Sequence, residues 1–179
     1  YNPVSVCNTL DCIIKGKEFI ANDLHFHDGI WLSFYHSTDF SSEDPSAVLE
    51  KINRRSKAAF NFLNKSRFLF VTLGTARVYR WKKSNLIVSN CHKIPADQFD
   101  TQLLTIDEIV ALWIEQLDKL QLLFPHLKVV FTISPVRHWK DGAHANQVSK
   151  SVLFIAVDEL LKHKAGPRYF PAYELVMDD

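Results

Sequence analysis

Glycine is scarce, with five in 179 residues, which leaves little room for a glycine-rich loop around a phosphate. Cysteine is scarcer still. Cys7, Cys12 and Cys91 make an odd set, which argues against a disulfide framework and for a reducing, cytoplasmic compartment. They have no companions at zinc-ligand spacing, so neither a metal nor another cofactor is expected. Charge of one sign is also missing. The net charge of +1 gives no general pull toward nucleic acid or membrane. No apolar run approaches the length of a membrane span, and no secretory signal is visible. The chain opens at Tyr1 and stops at Asp179, just after an apolar run, and reads as a piece of a longer protein.

What is present is an ordinary globular composition. With 47% hydrophobic residues, residues 1–179 suffice for a single domain with a sizeable core. Tyr1 to Cys12 reads as an irregular lead into a helix, and Gly29 to Tyr35 as an aromatic strand. Ser41 to Pro45 carries helix-start chemistry. Val48, Ile52, Ala59, Phe60 and Leu63 then recur at helical spacing. Phe68–Leu73 and Val129–Ile133 are continuous apolar runs, the pattern of parallel strands buried on both faces. Arg77–Trp81 and Leu86–Val88 read as an added hairpin. Thr105 and Glu108 are spaced as a capping box for a helix to Phe124. A further helix is expected from about Asn146 to His163, and a last strand over Tyr169–Val176. The order predicts an α/β fold, a three-layer α/β/α sandwich on a mainly parallel sheet.

The strand at Val129 opens into a loop carrying Arg137, His138, Asp141 and His144. Ligands of open α/β sheets sit off the carboxyl ends of strands, so this loop is the first place to look for chemistry. Arg137 beside His138 suits a carboxylate or oxyanion, or else a local salt bridge. Asp141, three residues before His144, could orient that imidazole as a base, or could simply serve a helix-entry loop. Gly74, with Thr75 after it, ends the other buried strand, where its amide could donate to an oxyanion or merely make a turn. Asn90 could complete such a hole and His92 could bind or shuttle protons, unless their loop is only solvated. The serines to consider as nucleophile are Ser37 beside His36, then Ser134, Ser149 and Ser151. None sits in a glycine-flanked elbow. Ser149 and Ser151 are expected to point along their helix, and His144 to bond backbone or solvent.

Five stretches carry a resemblance: YNPVS at Tyr1, FVTLGTARVY at Phe70, NCHKIP at Asn90, TISPVRHWKDGAHANQVSKS at Thr132 and YFPAYELVMDD at Tyr169. Together they span almost the whole chain. The chain resembles the GSCFA domain family, a bacterial branch placed near the SGNH/GDSL hydrolases. The resemblance implies a flavodoxin-like fold and hydrolysis of an ester through a serine acyl-enzyme. The implied substrate is a small molecule or a carbohydrate ester, with Gly74, Thr75, Asn90, His92, Arg137 and His138 lining the site. A non-catalytic binding or accessory domain of the same fold is the rival reading. The family's Gly-Ser-Cys-Phe-Ala block and its Asp-x-x-His-Pro segment do not occur in these 179 residues. The resemblance therefore implies that the nucleophile and its Asp/His pair lie elsewhere, and that Asp141 and His144 are not the triad members. The sequence leaves the oligomeric state open.

Overall fold

The computed structural model describes residues 1–137 and 142–177. A helix starts at once. The Asn2 side chain accepts from the Ser5 amide at 2.8 Å and Pro3 fills the first turn, so α1 runs Pro3–Ile14. The irregular lead expected here is corrected, because Asn-Pro is itself a helix-start signal. Two short strands follow, β1 (His25–His27) and β2 (Ile30–Leu32), paired as a hairpin. Their turn is Asp28-Gly29, with φ of 48° and 79°, the positive pair that a two-residue turn requires. The aromatic strand is therefore shorter than its composition suggests.

Asp44 accepts from the Ser46 amide and caps α2 (Pro45–Leu63). Then come β3 (Phe68–Leu73), β4 (Arg77–Trp81), β5 (Leu86–Val88) and β6 (Phe99–Leu103). Helix α3 (Ile106–Leu123) starts with the reciprocal Thr105–Glu108 box expected from the sequence. After it lie β7 (Lys128–Ile133), α4 (Ala143–Leu161), β8 (Arg168–Tyr169) and α5 (Ala172–Met177). The strand expected over Tyr169–Val176 is corrected to two residues and a helix. Pro171 cannot donate to a ladder, and its carbonyl accepts from Leu175 to open α5.

The expectation of a mainly parallel sheet is also corrected. Parallel pairing joins β3, β7 and β8 in that order, whereas β5-β4-β6 and β1-β2 are antiparallel. The four-residue link from β4 to β5 permits only an antiparallel hairpin, and β6 then returns to pair antiparallel with the other side of β4. Strand β6 has no clear apolar alternation (Phe-Asp-Thr-Gln-Leu), and local pattern does not reveal it for that reason.

Leu69, Val71 and Leu73 pair with Val129, Phe131 and Ile133, so these side chains share one face. That face packs with Cys7 and Leu10 of α1, Trp113 and Leu117 of α3, and Leu153 and Val157 of α4. Trp113 meets Phe131 edge to face at 4.9 Å, both fully buried. On the opposite face, Phe68 and Phe70 are 51% and 61% exposed. Strand β3 is thus an edge strand bare on one side, not a strand buried on both. A second cluster joins Leu32 and Phe34 to Trp81, Val88 and Phe99 of the antiparallel sheet. Among the described residues, no helix is long and apolar enough to cross a membrane.

Candidate functional site

Strands β3 and β7 run parallel, so Gly74 and Arg137 follow them at the same edge of the sheet. A cavity of about 350 Å³ opens beside that edge. It is lined by Tyr1 and Thr75, by Arg77 and Tyr79 of β4, and by Ser89 and Asn90 after β5. A neighbouring cavity of about 440 Å³ shares Tyr1, Ser89 and Asn90 and reaches Tyr35, His36 and Ser37. A roomier one, about 460 Å³, lies at the far end of α1 among Ile13, Lys17, Lys57 and Phe60, away from the strand ends.

Thr75 and Asn90 therefore meet in one cavity, although fifteen positions separate them in the chain. Gly74 and His92 stand behind it. The Gly74 amide donates to the Tyr1 carbonyl at 2.8 Å, and the Thr75 amide reaches the same oxygen at 3.4 Å. The Asn90 carboxamide is engaged at both ends. Its oxygen accepts from the His92 amide at 3.0 Å and its nitrogen donates to Thr38 Oγ1 at 3.2 Å. This bracing holds a tight loop in which His92 and Lys93 have φ of 51° and 63°. The His92 ring is 7% exposed and its Nε2 donates to the Ser33 carbonyl at 2.9 Å, since a carbonyl can only accept. Burial lowers its pKa, which keeps the imidazole neutral at ordinary pH.

Arg137 is exposed, and its guanidinium lies 4.0 Å from the Met177 sulfur. His138 and Asp141 lie outside the described residues. His144 is exposed on the first turn of α4, which starts three residues earlier than expected.

Of the serines, Ser151 Oγ donates to the Gln147 carbonyl along the helix, as expected. The expectation for Ser149 is corrected: its hydroxyl turns toward the sheet. It accepts from the Ala76 amide at 2.8 Å and shares a 3.0 Å hydrogen bond with Thr75 Oγ1. Ser33, which no sequence pattern marks, lies 2.9 Å from His36 Nδ1. Ser33 is 1% exposed and also accepts from the Tyr35 amide, so this pair braces a turn and presents no nucleophile. Burial, reinforced by His92, pushes the His36 pKa down to about 4.

Lys150 is a further residue that sequence reasoning missed. It is fully buried, and its ammonium donates to the Gly74 carbonyl at 2.7 Å and the Ser134 carbonyl at 2.5 Å. A signal was available. Asn146, Lys150, Leu153, Val157 and Leu160 share the buried stripe of α4, and a lysine within such a stripe needs an explanation. Among the described residues, no group of three histidine, cysteine or acidic side chains could hold a metal. The three cysteines are free thiols, with Cys7 buried among apolar groups.

The arrangement is a cavity at a parallel strand edge, polar at Thr75, Arg77, Ser89 and Asn90, apolar at Val88, Ile94 and Phe99, and braced by α4. It suits a small ligand that offers oxygen acceptors. Comparison with family models matches residues 1–179 to the GSCFA family. No curated protein and no solved structure matches the chain.

Proposed function

The chain belongs to the GSCFA family, and from that membership and the strand-edge cavity we propose an SGNH-like serine hydrolase domain acting on an ester bond. In this reading the fold is the three-layer sandwich of those hydrolases, working without a cofactor in the cytoplasm. The substrate is a small ester, with an acyl group on a carbohydrate as the favoured class. The observation that carries the reading is the cavity beside Thr75 and Asn90, at the edge where open α/β sheets place their ligands. The role of the loop after β3 is to supply the loosely held Thr75 amide to the ester oxygen, with Asn90 on the wall and His92 bracing it from behind. The serine itself belongs to a Gly-Ser-Cys-Phe-Ala segment, which these 179 residues do not contain.

The test is hydrolysis of p-nitrophenyl acetate. A protein that joins the Gly-Ser-Cys-Phe-Ala segment to this chain is expected to turn the ester over, and replacing that serine by alanine to abolish it. The 179 residues alone are expected to be inactive. Turnover by this chain alone, lost on His144→Ala, would move the triad inside it and refute the assignment. The second reading is a binding or accessory domain that keeps the cavity. That reading predicts saturable binding of an acetylated sugar with no hydrolysis by the joined protein.

A further inference from the structure

Lys150 occupies an unusual position for a charge. Its side chain is fully buried, and no carboxylate among the described residues contacts it. Moving an ammonium out of water costs several kcal/mol or more unless its donors are met and opposite charge is near. Two donors are met, both by carbonyls that lie just past the ends of β3 and β7. The adjacent Ser149 hydroxyl holds the Ala76 amide, so one turn of α4 grips both strand ends.

The Gly74 carbonyl and the Thr75 amide are two ends of one peptide group. A cation on the oxygen draws electron density from the nitrogen and strengthens the N–H as a donor, as in any polarised hydrogen-bond chain. The Thr75 amide is only loosely engaged at present. It lies 3.4 Å from the Tyr1 carbonyl, an oxygen already taken by the Gly74 amide at 2.8 Å. Thr75 also lines the 350 Å³ cavity.

We propose that Lys150 is a positioning residue that makes the Thr75 amide a donor to a negatively charged or polarised oxygen, a carboxylate or an ester carbonyl, bound in that cavity. This rests on the reading of the cavity as the ligand site. The other ionisable groups around Lys150 are the Tyr1 amino group, whose pKa is lowered by burial and by Lys150, and Tyr173 of α5, whose ring lies 6.0 Å from the ammonium. Burial itself pulls the Lys150 pKa down to about 8.

Acetate is a direct probe, followed through the Thr75 amide resonance by NMR. At pH 7, acetate is expected to shift that resonance, and Lys150→Met to weaken the response about tenfold, the loss of roughly one charge-assisted contact. In the unaltered chain the affinity is expected to fall as pH rises through about 8, where the ammonium loses its proton. In Lys150→Met with the Tyr1 amino group acetylated it should not vary with pH. A purely structural lysine would produce no such profile. No acetate response at Thr75, an equal response in Lys150→Met, or an affinity constant from pH 7 to 9.5 would each overturn the proposal. The pH series on the chain with its Tyr1 amino group acetylated, so that Lys150 alone titrates beside the cavity, decides even if Lys150→Met fails to fold. Failure of the joined protein to hydrolyse esters would sink the enzyme reading and leave the acetate result standing. A missing acetate response beside intact hydrolysis would sink this inference alone.

Discussion

Strands β3 and β7 look alike on paper and differ in the fold. Phe-Leu-Phe-Val-Thr-Leu and Lys-Val-Val-Phe-Thr-Ile are both apolar runs of six, paired residue for residue. In β7 all five residues after Lys128 are buried, because the strand lies between β3 and β8 and both α4 and α5 pack against it. In β3 only Val71 and Leu73 are buried, while Phe68 and Phe70 face outward at the edge. A continuous apolar run therefore announces a strand, but not its place in the sheet. Place depends on which other strands exist, and that is non-local information.

Mutation can break or sharpen this contrast. The largest effect is expected at Phe131→Ala, which removes a fully buried ring packed on Trp113. Chemical denaturation should show a loss of about 3–5 kcal/mol. A loss under 1 kcal/mol would mean that β7 is not the centre of the core.

Next comes the charge that ties the two strands together. The Lys150 pKa is lowered from 10.5 to about 8, so between those values the unfolded chain holds more protons than the folded one. Stability should thus rise as pH climbs from about 8 to 10.5, and the gain should be gone once pH falls back to 8. The gain is at most about 3 kcal/mol, since a tenfold change in proton affinity is worth about 1.4 kcal/mol. Lys150→Met should lack this rise, and a parallel pH dependence in both proteins would count against an uncompensated buried ammonium. His36 adds a slope of similar size at acid pH. Its pKa near 4 means that stability should fall as pH drops from 6.5 toward 4, and thermal unfolding of a His36→Phe variant should lose that slope.

The smallest effect is expected on the bare face of β3. Phe70→Thr keeps strand propensity and removes an exposed ring, so its effect should stay within about 0.5 kcal/mol. A cost of several kcal/mol would show that this face is covered in solution.

Much of the chain is legible in its sequence. The capping box of α3, the span of β3 and the β4–β5 hairpin all follow from short-range patterns. The strand β6 and its pairing with β4 are not legible, because that partnership skips over β5. The candidate site divides the same way. Thr75 and Asn90 are marked by their position after strands, and the fold brings them to one cavity. Lys150 and the inward turn of Ser149 escape notice because they sit inside a helix, where chemistry is less expected than in a loop. The apolar stripe of α4 does mark Lys150 as out of place, but what that stripe faces is stated by no local pattern.

The register of the parallel pair also bears on how fast this protein folds. Phe68 meets Lys128 and Leu73 meets Ile133, so every pairing closes a loop of 60 residues. Bringing the ends of such a loop together costs about 4 kcal/mol of chain entropy before any contact repays it. The β4–β5 hairpin and helix α3 lie within that loop and need only local contacts, so they can form while the loop is open. Closure of β3 onto β7 then sets the pace, as it does wherever distant strands must meet. A chevron analysis of Leu73→Ala should place much of its effect on the folding limb. An effect confined to the unfolding limb would put the sheet's assembly after the barrier.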